Sequence, residues 1–158
     1  MTGRIYRWLF GLGRSVLPVR DDGPVQTVQV RLSGRELLDA REVLTAYGII
    51  SAPPPGADML LVCGSGYRSD SVVVAHNHQK YRFRGAEPGE TGLHNGVAGS
   101  TILLAANGDV IITPASGKVV VQGTVTAKDF ITEAGVKLSD HTHGGVKAGS
   151  DTTSGPQG

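Results

Sequence analysis

Two histidines near the end of the chain, His141 and His143, carry the motif with the clearest chemistry. In an extended strand alternate side chains share a face, so both imidazoles would point the same way while Thr142 points opposite. Imidazole nitrogens are common ligands of transition metals. The pair predicts a bidentate contribution to a metal site, although two exposed histidines in a polar tail would have the same sequence.

One chain cannot complete such a site. A tetrahedral zinc ion takes about four nitrogen or sulfur ligands, and the single thiol, Cys63, lies far upstream in a region of different composition. Three copies around a three-fold axis would each offer two imidazoles, a shell suited to an octahedral first-row ion such as iron. If the pair binds a metal, the ligand count therefore favours a homotrimer with the ion on its axis, and the interpretation as two exposed tail histidines stays open.

The composition narrows the class of protein. The chain has 158 residues, 23 glycines, one cysteine and a formal net charge of +1. This charge, without a basic run, argues against a general nucleic-acid binder. A single cysteine excludes an intrachain disulfide and fits a reducing cytoplasm. We expect no membrane span, because no apolar stretch approaches about 20 residues, and no signal peptide.

The N-terminal segment shows helical periodicity. Ile5, Trp8 and Leu12 recur at helical spacing among arginines, which predicts a short amphipathic helix over residues 3–17 that ends at Pro18. We expect an N-terminal helical arm over residues 1–20, packed either on its own domain or on a neighbouring protein.

The next segment, residues 21–93, alternates with period two. Val28, Val30 and Leu32 are predicted to point inward from one strand. Residues 33–50 mix a helix-capping pattern with β-branched residues, and two strands with a loop between them are expected. The apolar runs at 59–63 and 71–75 indicate buried strands. Four or five strands of this kind predict a small barrel.

A second pair, His76 and His78, follows the last of these strands and precedes Tyr81 and Phe83. The two rings with their neighbouring arginines are similar to a stacking surface for single-stranded nucleic acid. Ordinary strand alternation also accounts for them and is the interpretation we favour, and no metal role is assigned to this pair or to His94.

Beyond residue 89 the pattern changes to short apolar runs separated by glycine-rich turns. Each run has about four residues, below the usual strand length of about five to six, so one chain cannot close a core from them. We expect several copies to wrap one another, with apolar side chains filling the axis. The runs are 101–105, 110–113, 118–121, 124–127, 130–132 and 136–138, and the axial candidates are Ile111, Val119, Val121, Val125 and Ile131.

The order of these segments resembles the central spike, or baseplate assembly protein V, of Mu-like contractile-tailed phages. The resemblance lies in the Trp/Arg arm, the barrel ending near Tyr81-Arg82-Phe83-Arg84-Gly85, the Pro88-Gly89-Glu90 turn, the short strands and the terminal His-Thr-His-Gly-Gly-Val. It implies an all-β fold, with an OB-fold barrel over 21–93, an intertwined homotrimeric triple-stranded β-helix over 94–140, and a metal-binding apex over 141–158.

The resemblance also implies a function. Such a spike is a structural protein without enzymatic activity or a nucleic-acid partner, which caps the tail tube on a baseplate hub protein and pierces the host outer membrane when the sheath contracts. One iron ion per trimer would be bound by His141 and His143. The protein would be made in the host cytoplasm and reside in the virion tail baseplate, or in a related device such as a tailocin. A trimeric glycan- or receptor-binding fibre tip and an OB-fold nucleic-acid-binding module are the alternatives.

Overall fold

The computed structural model describes residues 9–64, 66–142 and 149. The chain divides into two compact units, Met1–Lys118 and Val119–Gly158, which are described separately. Among the described residues, no helix has both the length and the apolar character needed to cross a bilayer.

The first unit begins with a five-stranded antiparallel sheet. Its strands, in the order β3-β2-β1-β4-β5 across the sheet, place β1 at the centre. A short 3-10 turn, Arg68–Asp70, precedes the last strand. The strands are β1 Phe10–Ser15, β2 Thr27–Leu32, β3 Leu37–Glu42, β4 Asp58–Cys63 and β5 Ser71–Asn77.

The sheet curls until its two outer strands approach each other. Val43, just after β3, forms a parallel bridge with Val73 of β5, and the Leu44 amide donates to the Val73 carbonyl at 2.8 Å. Register shifts in the β2–β3 and β4–β5 pairs increase local twist and help the strands to bend. The resulting circuit, β1-β2-β3-β5-β4, is consistent with an OB-like fold, and the all-β prediction is confirmed.

The core lies inside this curled sheet, and alternation along the strands builds it. In β2 the side chains of Val28, Val30 and Leu32 are buried as predicted, while the residues between them are not. In β4 alternate positions face the same interior. The cluster consists of Val28, Val30, Leu32, Val43, Ala57, Met59, Leu61 and Val73.

The predicted N-terminal helix is wrong over residues 10–17, because Phe10–Ser15 is the central strand and no helix follows it before Pro18. Leu9, the first described residue, is helical. The inward positions of this strand are small and its outward positions are large: Phe10 and Leu12 are 51% and 74% exposed. The usual apolar-inward alternation is therefore inverted, and the large side chains imitate one face of a helix. Residues 1–8 of the predicted arm lie outside the described residues.

Ser15 joins the end of β1 to the segment before β4. Its hydroxyl accepts a hydrogen bond from the Ala57 amide at 3.0 Å, and its own amide donates to the Ala57 carbonyl at 2.9 Å. Ser15 is buried, and a buried hydroxyl needs such partners because it has lost its bonds to water.

Two smaller predictions in this unit are corrected. The helix-like segment contains strand β3 as expected, but residues 44–50 form a loop rather than a second strand. Residues 81–84 lie in a turn region rather than in a strand: the Arg82 amide donates to the His78 carbonyl at 2.9 Å, which turns the chain away from the sheet directly after β5.

A second antiparallel sheet follows in the same unit. It contains β6 Thr91–Asn95, β7 Ser100–Leu104 and β8 Val110–Thr113, paired in chain order. The sequence predicted β7 and β8 but missed β6, whose glycine, histidine and asparagine have low β-propensity. Gly108, at a φ of 93°, turns the chain between β7 and β8 in a conformation that favours glycine.

The four predicted strands after residue 117 are not strands in the single chain. An isolated bridge joins Ile131 and Lys137, and the Leu138 amide donates to the Phe130 carbonyl at 2.9 Å. A short apolar segment becomes a strand only when a neighbouring strand accepts its hydrogen bonds. In the predicted trimer that neighbour would belong to another chain.

We expect Gly13→Ala to destabilise the barrel. An added Cβ would lie 2.6 Å from both the Arg31 carbonyl oxygen and a Val30 methyl carbon, so β1 and β2 would have to separate. The free energy of unfolding should fall by about 1–3 kcal/mol, the typical effect of overpacking, as measured by chemical denaturation. Gly11→Ala is the matched control, since its Cβ would approach nothing closer than a Leu32 methyl at 3.4 Å. An equal loss in both variants would contradict the explanation.

Candidate functional site

The segment before the predicted metal ligands is a turn held by one carboxylate. Asp129 Oδ1 accepts hydrogen bonds from the amides of Phe130 at 2.8 Å and Ser139 at 3.2 Å. Its Oδ2 accepts a third from the Ser139 hydroxyl at 2.7 Å. These bonds join the two ends of residues 129–139, so that the chain reaches His141 from a closed turn.

The far end of this turn is closed in a similar manner. The Thr132 amide donates to the Val136 carbonyl at 3.0 Å, while the Thr132 hydroxyl accepts from the Val136 amide at 3.1 Å. Gly135 has a φ of 78°, a left-handed conformation that glycine adopts without steric cost. Side-chain oxygens thus satisfy part of the backbone that no strand pairs.

The hydrogen bonds change the acidity of Asp129. The Ser139 hydroxyl is the largest cause of a lowered pKa, and backbone donors from Phe130, Ser139 and Leu138 add to it, while desolvation acts in the opposite direction. Donors to a carboxylate stabilise its charged form. The turn is therefore built around an ionised Asp129.

His141 follows the turn and is exposed. Its Nδ1 lies 2.7 Å from the Leu138 carbonyl oxygen. Because a carbonyl can only accept, Nδ1 must carry the proton, and the neutral ring then has its lone pair on Nε2. Histidines that bind metals commonly make this second hydrogen bond, which orients the ring. His141 therefore suits the metal role that the sequence predicts.

His143, the second predicted ligand, lies outside the described residues. Within residues 9–64, 66–142 and 149, no three side chains of histidine, cysteine, aspartate or glutamate come together as a metal site. A site containing His141 would thus need ligands beyond that part of one chain.

The sheet of β6, β7 and β8 presents an apolar face that nothing in the described chain covers. Cross-strand pairing places Leu93, Ile102 and Ile112 in one row and Leu104 and Val110 in the next. Their exposures range from 41% to 62%. A contiguous apolar face of this kind is typical of an interaction surface rather than of a solvated sheet.

The opposite face of this sheet is more mixed. It carries His94, Thr101, Leu103, Ile111 and Thr113. Ile111, which the sequence assigned to the axis of a trimer, therefore lies opposite Ile112 and Val110. Its axial role stays a prediction, and the structure adds the five-residue apolar face, which the sequence analysis did not identify.

Comparison with known proteins finds matches for two segments of the chain. Residues 14–80 match the family described as Bacteriophage Mu Gp45, N-terminal, and residues 135–157 match the GpV Apex motif. The resemblance to Mu-type spike proteins is confirmed. The first match covers β2 to β5 of the barrel, and the second covers His141 and His143.

A curated relative supports the same family. The chain is 38% identical, over 103 residues and 65% of its length, to the protein named baseplate puncturing device gp45 of Escherichia phage Mu. This chain spans about half the length of that relative, 52%.

Sequence reasoning missed the carboxylate that holds the turn. Asp129 lies between the predicted runs 124–127 and 130–132, and its local signal is the ability of an Asp side chain to bond the backbone that follows it. Its reach across ten residues to Ser139 depends on the turn between them, which periodicity alone does not predict.

We expect Ser139→Ala to raise the pKa of Asp129 towards its ordinary value of 3.8, because the hydroxyl is the largest cause of the lowered pKa. A carboxylate whose pKa is lowered on folding stabilises the fold above the unfolded pKa, and this contribution is lost as pH falls through the folded value. In the unsubstituted chain the turn should therefore open only below pH 3.8. Carbon-detected NMR titration of the Asp129 carboxyl measures both effects, with Ser116→Ala as a control. An unchanged Asp129 titration in Ser139→Ala would contradict the assignment.

Proposed function

We propose that the chain is the central spike of a contractile tail, a structural homotrimer that ends in a metal-bound apex. The observation that carries this proposal is the match of residues 135–157 to the apex motif, since that segment contains the two histidines selected independently from ligand chemistry. The relative's name, baseplate puncturing device, supports placing the protein in the tail baseplate.

The uncovered apolar surface supports a trimer with an intertwined β-helix. The described part of the second unit adds further exposed apolar side chains to those of the β6–β8 sheet, and several are about half exposed in the single chain. Burying such side chains is worth about 25 cal/mol per Å² of apolar surface. Association would also provide strand partners for the unpaired segments after residue 117. The exposed residues there include Val119, Val120, Val121, Val125, Phe130, Ile131, Val136 and Leu138.

The metal ion would link the three chains at the apex. Its ligands would be Nε2 of His141 and an imidazole nitrogen of His143 from each of three chains, and we propose iron because such a shell suits an octahedral first-row ion. Since the ligands converge only when the chains are assembled, binding stabilises the assembled state by linkage. The closed turn held by Asp129 would deliver each His141 to the axis in a fixed orientation.

We infer the setting from the resemblance to spike proteins and from the name of the relative. The barrel end would sit on a baseplate hub protein at the end of the tail tube, and the apex would meet the host outer membrane when the sheath contracts. A protein that crosses a membrane under mechanical load must keep its chains associated. Hydrogen bonds between strands of different chains and a metal ion bound by all three chains would both hold them together. In this proposal the protein acts mechanically, without catalysis, and is made in the host cytoplasm before assembly.

We expect the double variant His141→Ala with His143→Ala to lose bound iron while it remains a trimer. The apolar surface rather than the metal would supply most of the association energy. Native mass spectrometry with elemental analysis of the same sample measures both quantities, and the unsubstituted protein should carry one ion per trimer. His94→Ala is the control because its ring lies on the β6–β8 sheet. Retention of the metal at full stoichiometry in the double variant would show that the site is elsewhere.

We expect Ile102→Glu to prevent trimer formation. Ile102 lies in the middle of the apolar face, and burial of an unpaired carboxylate is strongly unfavourable. The variant should remain a folded monomer in analytical ultracentrifugation, because its barrel does not depend on this face. The neighbouring Thr101→Glu, on the other side of the same strand, should disturb assembly much less. Dissociation in Thr101→Glu but not in Ile102→Glu would place the interface on the opposite face.

A further inference from the structure

Three histidines to which the proposed spike gives no role line one cleft in the first unit. The cleft has a volume of about 500 Å³ and lies among residues 50–54, the end of β5 with the turn that follows, and the β6 hairpin. Its polar walls are formed by His76, Asn77, His78, Arg82, His94 and Asn95. Ligand sites in proteins commonly have about this size and combine apolar walls with a few converging polar groups.

The charge of the cleft is one-sided. No carboxylate is among the described residues that line it, whereas three imidazoles and one guanidinium are. The neighbouring strand β4 carries an acidic side chain, Asp58, opposite Asn77 in the β4–β5 register. Its oxygens are already bound by Arg14 Nε at 3.0 Å and Gln79 Nε2 at 2.9 Å. Neither the Arg82 guanidinium nor the imidazoles therefore have a carboxylate partner among the described lining of the cleft.

Ring contacts hold these groups in place. The His78 and Tyr81 rings lie 4.6 Å apart between centroids, and Phe83 meets the edge of His94 at 5.4 Å. The backbone on the hairpin side is equally constrained, because a Cβ on Gly96 would lie only 1.7 Å from the Tyr81 carbonyl oxygen. His94 is thus held in place, and Asn95 is held by the Val97 and Ala98 amides, which each donate to its Oδ1 at 3.1 Å. Such pre-organisation lowers the entropic cost of binding a ligand.

We propose that this cleft binds a tetrahedral oxyanion, as a free ion or as a phosphate or sulfate ester. Arg82 and the imidazolium forms of His76 and His94 would bind the oxyanion, and the side-chain amides of Asn77 and Asn95 would donate further hydrogen bonds. His78 lines the cleft without binding the anion, because its Nε2 lies 3.4 Å from the Pro55 carbonyl oxygen and its Nδ1 accepts from the Lys80 amide at 3.3 Å. Tyr81 and Phe83 would contact the organic part of an ester.

The affinity of the cleft for an oxyanion should depend on pH, because histidine side chains line it. Burial lowers the pKa of His76, since desolvation disfavours the imidazolium. The groups that face this ring across the cleft are His78, Tyr81, Arg82 and His94, with Lys80 Nζ above the Tyr81 ring at 4.8 Å. These neighbours are neutral or cationic, so a bound anion favours the charged form of His76 and binding strengthens as pH falls.

Calorimetric titration of the full chain with sodium sulfate tests the proposal, because sulfate keeps its charge over the range in which histidine titrates. At constant ionic strength, the affinity at about pH 5.5 should exceed that at about pH 8 by roughly tenfold or more, since each imidazole that gains a proton adds a positive charge beside the anion. A parallel titration with glucose 1-phosphate at each pH distinguishes the two sources of the oxyanion: tighter binding of the ester indicates a phosphorylated sugar, and equal binding indicates the free ion.

A matched pair of arginines locates the site. Arg82 lines the cleft, whereas Arg84 does not, and each donates to a backbone carbonyl nearby, that of Phe83 at 3.1 Å and that of Gln79 at 3.2 Å. Arg82→Gln should weaken sulfate binding about tenfold, the value of one charged hydrogen bond, while Arg84→Gln should leave it unchanged. Absence of sulfate binding at both pH values, or an equal loss in the two variants, would overturn the proposal. The test does not depend on trimer formation or on the apex metal.

Discussion

The close approach of β1 to β2 at Gly13 is the constraint on which the barrel depends. β1 is hydrogen-bonded to β2 on one side and to β4 on the other, so it joins the two halves of the sheet. A side chain at Gly13 would collide with the backbone of Arg31 and with Val30 of the core. Because this inward position is empty, Val28, Val30, Met59 and Leu61 can pack beneath the strand.

The sequence predicts those parts of the fold in which burial follows the usual alternation. Period-two alternation places β2 correctly, and β4 and β5 are found as short apolar runs, whose buried residues include Met59, Leu61 and Val73. β1 fails the same test because its inward positions hold glycines and a serine, while Phe10 and Leu12 face outward. The alternation rule assumes that large apolar side chains point inward. It therefore does not detect a strand whose inward positions are small and whose backbone packs directly on the core.

The candidate site, too, could be predicted from the sequence only in part. His141 could be chosen from ligand chemistry alone, and the apex motif confirms that segment as a recognised unit. The tautomer of its ring depends on the Leu138 carbonyl, and the position of Leu138 depends on the closed turn around Asp129. The spacing of residues in the sequence does not predict these contacts. The strands predicted after residue 117 are a further case, since their hydrogen-bonding partners would lie on other chains.

The two sheets of the first unit differ in how far apart in sequence their partners lie. β6, β7 and β8 pair in succession, with a tight turn at Gly108, so their hairpins can close in about 1–10 μs. The barrel must instead join β1 to β4 and residues near β3 to β5 across long loops, and such non-local topology slows folding. The hairpins therefore form early, and their apolar face is exposed before the barrel is complete. In the proposed trimer, correct assembly would then depend on how long each chain stays in that state and on how often copies meet, and so on chain concentration as well as on final stability.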